Sequence, residues 1–326
     1  MLGGTAWLGR EIARQALARG HRVTCLARGT AGAVVSGAQH VRADRGSTDA
    51  YEAVADRDWD WVVDVSWQPG WVRQAAASIG PRAKLWTYVS SGNVYARHDM
   101  PDADESSQLL DPTEQDTVDA SLYGPAKVAC ELACQAAVGD RLLIARAGLI
   151  GGPGDTSGRS GYWVARAARD NGAPLLVPDS PDAPTQVIDV RDLAAWLVSA
   201  AERAVVGIFN AVGPVVPLSE WIDICRRVAG HTGAVVTIPP QWLIAHDVRE
   251  YMGAGSLPMW MIDPAYRGWS RRSGDRAALA GLTHRPRTRL VHDLLEWERA
   301  EGLDRDRSCG LTTRQEQDLI AAYRAA

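Results

Sequence analysis

The chain has 326 residues, 46% of them hydrophobic, and a formal net charge of -4. That length suits two lobes sharing an interface, and charge of both signs mixed along the chain excludes a basic nucleic-acid stripe. Five cysteines without framework spacing exclude a disulfide scaffold, and the absence of a membrane-length apolar run or a signal peptide points to a soluble protein of a reducing cytoplasm, with no membrane partner.

The chain opens on "MLGGTAWLGREIARQALARG". The cluster Gly3 to Gly9 has the look of a turn that holds a phosphate, and Ile12, Ala13, Ala16 and Leu17 after it form a helical stripe stopped by Gly20. Only Met1 and Leu2 precede the turn, where a whole strand is expected. Two outcomes are open: a very short first strand, or a start site set several residues too late. "HRVTCLAR" and "QHVRAD" read as strands, "YEAVADR" as a brief helix, "DWVVDVS" as a strand, "GWVRQAAASI" as a helix and "KLWTYVSS" as a strand. This alternation is the mark of a parallel sheet covered on both faces. The polar stretch from Gly92 to Asp116 reads as a long loop, and loops of that length are usually functional.

"SLYGPAKVACELACQAA" follows as a helix, "DRLLIARAGLIGG" begins as a strand, and a helix is expected around Tyr162 to Asp170. "QVIDVRDLAAWLVSAAERA" reads as a strand running into a helix and "GIFNAV" as a strand. From about Val212 the rhythm changes to helices near Ser219–Ala229, Asp275–Ala280 and Leu290–Glu301, a strand at "AVVTI", and a threonine-capped helix at the tail. The expected fold is α/β: a Rossmann-type parallel sheet covered by helices (1–150 plus 186–212) with a smaller, mostly helical C-terminal substrate lobe (151–185 plus 213–326). Cys130 and Cys134, four apart on a helix, lack a partner His or Cys cluster and read as ordinary packing, with no metal.

Tyr123 and Lys127 share one helical face, and Ser90 and Ser91 end a strand, where parallel sheets place their ligands. With Gly3, Ala6 and Gly9 at the G-x-x-G-x-x-G spacing, "VSSGNVY" from Val89, "YGPAK" with Glu131 trailing, Gly152–Pro153, and "VIDVRDLA" from Val187, the chain resembles the extended branch of the short-chain dehydrogenase/reductase superfamily, the epimerase/dehydratase type. The resemblance implies Tyr123 as acid/base, Lys127 as its modulator and ribose ligand, and Ser91 as the group that polarises the substrate oxygen. A nearby ammonium favours a phenolate, and a placed hydroxyl stabilises developing charge.

It also implies pyrophosphate binding at the turn, with Gly3, Thr5, Ala6, Trp7 and Leu8 as cofactor contacts. Ala6 replaces the middle glycine and implies a displaced or wider loop. Asp44 and Arg45 take the adenine-side place, while Val65, Ser66 and Ser90 line the cofactor cleft. The second strand ends "CLARG" with no acid, so Arg28 is placed to meet a 2′-phosphate, and NADP(H) is expected over NAD(H). Gly92 and Asn93 stand where sugar dehydratases carry Asp-Glu, which argues against dehydration.

The expected function is therefore an NADPH-dependent carbonyl reductase acting on a small carbonyl or alcohol. The alternatives are an NAD-dependent epimerase of a nucleotide-sugar, and a non-catalytic NADP-binding scaffold. Arg159, Trp163 and Arg191 are candidate walls of the substrate pocket, Trp67 a cap on the cofactor side, and "SLPMWM" (256–261) either lines the pocket or packs the lobes together, with packing favoured. The family's four-helix contact implies a homodimer through the "GWVRQAAASI" and "YGPAKVACELACQAA" helices.

Overall fold

In the computed structural model, which describes residues 1–326, buried strands alternate with helices. The order begins α1 (Trp7–Ala18), β1 (Thr24–Ala27), β2 (Gln39–Arg42), α2 (Glu52–Ala55), β3 (Val62–Asp64), α3 (Pro69–Ile79), β4 (Trp86–Ser91), α4 (Tyr123–Val138), β5 (Leu142–Ala147) and β6 (Leu149–Gly151). It continues with α5 (Tyr162–Arg169), β7 (Leu175–Pro178), β8 (Pro184–Asp189), α6 (Val190–Glu202), β9 (Gly207–Ala211), β10 (Val215–Pro217), α7 (Leu218–Ala229) and β11 (Val235–Ile238). Last come α8 (Pro240–Ala245), β12 (Arg249–Tyr251), β13 (Ser256–Pro258), α9 (Asp275–Leu279), α10 (Arg287–Glu301) and α11 (Thr313–Ala325).

β3, β4, β5 and β9 pair in parallel in that order, and β1 pairs in parallel with β2. Leu2 joins the two sets by bridging Leu26 on one side and Asp64 on the other. Its N–H donates to Val63 O (2.8 Å), and that of Gly3 donates to Leu26 O (3.1 Å). The central strand is thus present as a single rung. Beside it a cavity of about 420 Å³, lined by Met1, Thr24 and Trp61 among others, lies between β1 and β3. The Met1 ammonium donates to Thr24 O at 2.8 Å, and burial lowers its pKa.

Every residue of β4 and β5 is buried, as a sheet covered on both faces requires. On one face α3 and α4 pack Val72, Ala76, Cys130 and Cys134 against Trp86, Tyr88 and Ile144. On the other, α1 and α6 pack Ile12, Ala16, Leu193 and Leu197 against Val63, Val89 and Leu143. Strand order reverses at Leu2, giving the Rossmann arrangement with its ligand crevice at the carboxyl ends of the strands.

The second lobe has its own core, built from α5, α7, α10 and the segment that carries Leu257, Met259 and Trp260. It is less purely helical than expected. β6, β8 and β10 form one small sheet, β7 pairs with β11, and β12 pairs with β13. These strands are mostly three or four residues long, too short to show a period in the sequence. α9 packs back onto the first lobe: Ala277 and Leu282 share a core with Trp196 and Phe209. The tail helix α11 starts with the full capping box, Thr312 with Gln315.

Candidate active site

Ser91 is the last residue of β4 and caps the short turn after it. Its hydroxyl donates to Asn93 Oδ1 (2.8 Å) and accepts from the Asn93 N–H (3.2 Å). Tyr123 opens α4, with its ring 5.5 Å from that of Trp67. One turn on, Lys127 is buried, and its ammonium donates to Val89 O (2.7 Å) and Ser66 O (3.0 Å). The same ammonium lies 4.8 Å from the Tyr88 ring and 5.9 Å from the Tyr123 ring. A buried cation is tolerated because two carbonyls accept its protons. Ser91 and Tyr123 both line one cleft of about 930 Å³, and Lys127 stands behind Tyr123.

The glycine turn sits at the strand-order reversal. Gly3 has φ +91°, which favours glycine, and a Cβ at Gly9 would stand 2.3 Å from Gly3 O. α1 then starts with no side-chain cap and no acidic residue in its first turn, so its free N–H groups and dipole are available to an anion. Ala6 is the N-cap, extended and exposed, so its methyl points to solvent and the turn accommodates it without filling. Thr5 is buried beneath, Leu8 packs toward the α1–α6 core, and Trp7 Nε1 donates to Pro153 O (2.7 Å). A pyrophosphate fits this turn.

Val65 abuts Gly3, and the Ser66 carbonyl takes protons from both Lys127 and Tyr88. The Ser90 hydroxyl is buried without a partner. Arg28 is exposed just past β1, its guanidinium 5.9 Å from the Trp71 ring. Asp44 is also exposed, its carboxylate accepting from the Gly46 N–H. Arg45 differs from the expected adenine contact. Its guanidinium is buried, paired at both ends with Asp64 (2.7 and 2.6 Å) and bonded to Tyr51, so that side chain braces β3.

The opposite wall comes from residues 250–272 together with Arg159. Of the residues expected there, Arg159 lies in the cleft, whereas Trp163 is a core residue donating to Pro258 O and Arg191 is tied to Asp189 and Asp293. Trp67 is in the cleft, against Tyr123. "SLPMWM" packs as expected over most of its length, and Met261 lines the cleft.

Sequence reasoning missed Tyr251, Trp269 and Arg272, because only the return of the chain across the molecule brings them to Ser91. Arg272 is buried without a carboxylate partner: Nη2 donates to His98 Nδ1 (2.6 Å), Nη1 has no partner, and the guanidinium stacks 4.3 Å from the Tyr95 ring. Burial, then the adjacent Arg272 charge, pushes His98 down to about 4. A local signal existed only for Asn93, which follows Ser91 by two residues.

No protein-family profile and no curated protein sequence matches the chain. Solved structures do. A protein of Burkholderia cenocepacia J2315, provisionally described as an epimerase, superposes with a TM-score of 0.69 at 22% identity, covering 92% of this chain and 97% of that one. The UDP-glucose 4-epimerase of Thermus thermophilus, solved with NAD, gives 0.62 at 16% identity over 92% and 98%. The Bordetella bronchiseptica enzyme WbmG, solved with NAD and UDP, gives 0.64 at 16% identity over 93% and 94%. The chain has their fold. That two-lobed frame is the one the sequence motifs implied, and no helix in it is long and apolar enough to cross a membrane.

Proposed function

We propose that the chain is an NAD(P)-dependent oxidoreductase that reduces a small carbonyl compound, with Ser91, Tyr123 and Lys127 as its reacting site. One observation carries the reading: Tyr123 and Ser91 line the same cleft as Trp7, the first residue of the uncapped helix α1. Gly3, Thr5, Ala6, Trp7 and Leu8 would hold a pyrophosphate, while Val65, Ser66 and Ser90 would flank the rest of the cofactor. A nicotinamide bound there supplies two electrons and the hydrogen at the substrate carbon. Tyr123 gives the proton to the substrate oxygen and recovers one from solvent; the Ser91 hydroxyl, while still accepting from the Asn93 N–H, turns its proton from Asn93 Oδ1 to that oxygen. Asn93 fixes the Ser91 hydroxyl, and Lys127 keeps positive charge behind the phenol.

NADP(H) is favoured over NAD(H), because β1 is followed by exposed Arg28 with no carboxylate at that strand end. Asp44 stands at the adenine side. Dissociation constants for NADPH and NADH test this: tighter NADPH, with the preference lost in Arg28→Ala, is expected, and tighter NADH overturns it. The reaction is tested by nicotinamide absorbance with a panel of aldehydes and ketones. Turnover that Tyr123→Phe abolishes is expected; turnover that survives it removes Tyr123 from the mechanism.

A second reading, NAD-dependent epimerisation of a nucleotide-sugar, has the names of the structural neighbours in its favour. It predicts NAD that co-purifies and no net consumption of reduced cofactor. The same proposal includes a homodimer through α3 and α4, on whose outer side Leu132 is exposed, to be tested by light scattering.

A further inference from the structure

The cleft is mostly aromatic and apolar where a sugar would need partners. Trp67 and Tyr123 form one side, and Tyr251, Tyr266 and Trp269 stand on the other. Three of its polar side chains are engaged. Asp155 accepts from Ser157 and Ser160, Gln186 is bonded to the Arg272 backbone, and one Glu250 oxygen accepts from the N–H groups of Ile262 and Asp263. A polyol bound here would bury hydroxyls against rings, and each hydroxyl left unpaired weakens its binding.

The charges point the other way. Arg159 and Arg272 line the cleft together with the Asp155 and Glu250 carboxylates, and neither guanidinium is paired with one of them. Arg159 is held through Nε by Ser157 Oγ (3.1 Å), which leaves its terminal nitrogens free, and its guanidinium lies 5.7 Å from the Tyr251 ring. Arg272 is sealed in with Nη1 unpaired, so it adds field without a reachable fork. Tyr251 itself is held at φ +63°, a left-handed conformation unusual for an aromatic residue. Such strain persists only where surrounding structure enforces it, and here it fixes the ring beside Arg159. One reachable guanidinium matches one planar carboxylate.

We infer that the substrate of this cleft is a ketone or secondary alcohol that carries one flat aromatic ring and one carboxylate, gripped by Arg159 and the ring wall around Tyr251. The inference rests on the reading of Ser91 and Tyr123 as the reacting site.

The test is calorimetric titration of the NADP⁺-saturated protein, which cannot reduce a ketone, with four probes: benzoylformate (aromatic keto acid), acetophenone (ring without charge), pyruvate (charge without ring) and UDP-glucose. Benzoylformate binding at least tenfold more tightly than each of the others is expected. Arg159→Gln closes the gap between benzoylformate and acetophenone, and Arg159→Lys restores part of it. No measurable benzoylformate binding, equal binding of pyruvate, tighter binding of UDP-glucose, or a gap that survives Arg159→Gln overturns the inference. Because binding is read without turnover, the two levels separate. Benzoylformate that binds as expected but is not reduced sinks the reductase reading alone. NADPH consumption with ring-free ketones but no benzoylformate binding sinks the substrate class alone.

Discussion

The two walls of the cleft are built by different means. The wall that carries Ser91, Tyr123 and Lys127 rests on a fully buried strand, β4, and on the first turn of a sixteen-residue helix, α4, and Ser91 and Lys127 have fixed partners. The wall that carries Tyr251, Met252, Tyr266 and Trp269 rests on three-residue strands and the loops between them, with Met252 and Tyr266 largely exposed. Reacting groups need placement within a fraction of an ångström, which regular elements supply; recognition surfaces tolerate variation, which loops supply.

The sharpest way to break this contrast is Tyr123→Phe. A loss of about 10³-fold in turnover with an unchanged melting temperature is expected, since general acid–base groups contribute roughly 10²–10⁴-fold. Gly9→Ala comes next. Its methyl would meet the Gly3 carbonyl, a backbone atom that cannot swing away, so a loss of about 1–3 kcal/mol in denaturant unfolding, with weakened cofactor binding, is expected.

A smaller effect concerns His98, at the edge between the walls. Its neutral Nδ1 accepts from Arg272, and its folded pKa of about 4 lies below the ordinary 6.5. Between those values the unfolded chain binds the proton and the folded chain does not. The contribution to stability is therefore complete above the ordinary value and is lost as pH falls toward 4. Discounted for the partial exposure of the ring, the loss is on the order of 1 kcal/mol, and His98→Gln should flatten that part of a stability–pH curve. Smallest of all, Met252→Ala should shift stability by less than about 0.5 kcal/mol, as surface changes do, while altering the Michaelis constant. A large stability loss there would show that the far wall is as rigid as the near one.

The same contrast governs what could be read from sequence. The sheet of the first lobe and the Ser91–Tyr123–Lys127 set were legible because strand ends and a four-residue helical spacing are local patterns. Arg159 and Trp67, singled out on weaker grounds, do line the cleft. Trp163 and Arg191 were not: an aromatic residue on a helix reads the same whether it faces a core or a cleft, and only the distant Asp293 reveals that Arg191 is tied down. Arg45 failed for a similar reason, since its partner Asp64 lies one strand away. Arg272, which approaches Gly92 from far along the chain, has no local signature at all.

Leu2, the lone rung between β1 and β3, has a consequence for how the molecule breathes. The two halves of the main sheet meet through the Leu2 N–H to Val63 and the bonds that Met1 and Gly3 make with Leu26, and the glycine turn grows directly from that seam. Anything that clamps the turn also clamps the seam. A ligand present at a hundred times its dissociation constant adds about 2.7 kcal/mol to the native state. Much of that would be felt where β1 and β3 part most easily. The amides of Leu2, Gly3 and Leu26 should then be the ones whose hydrogen exchange slows most when cofactor is added. The seam would act as a reporter of occupancy, placed in the sheet and away from the chemistry.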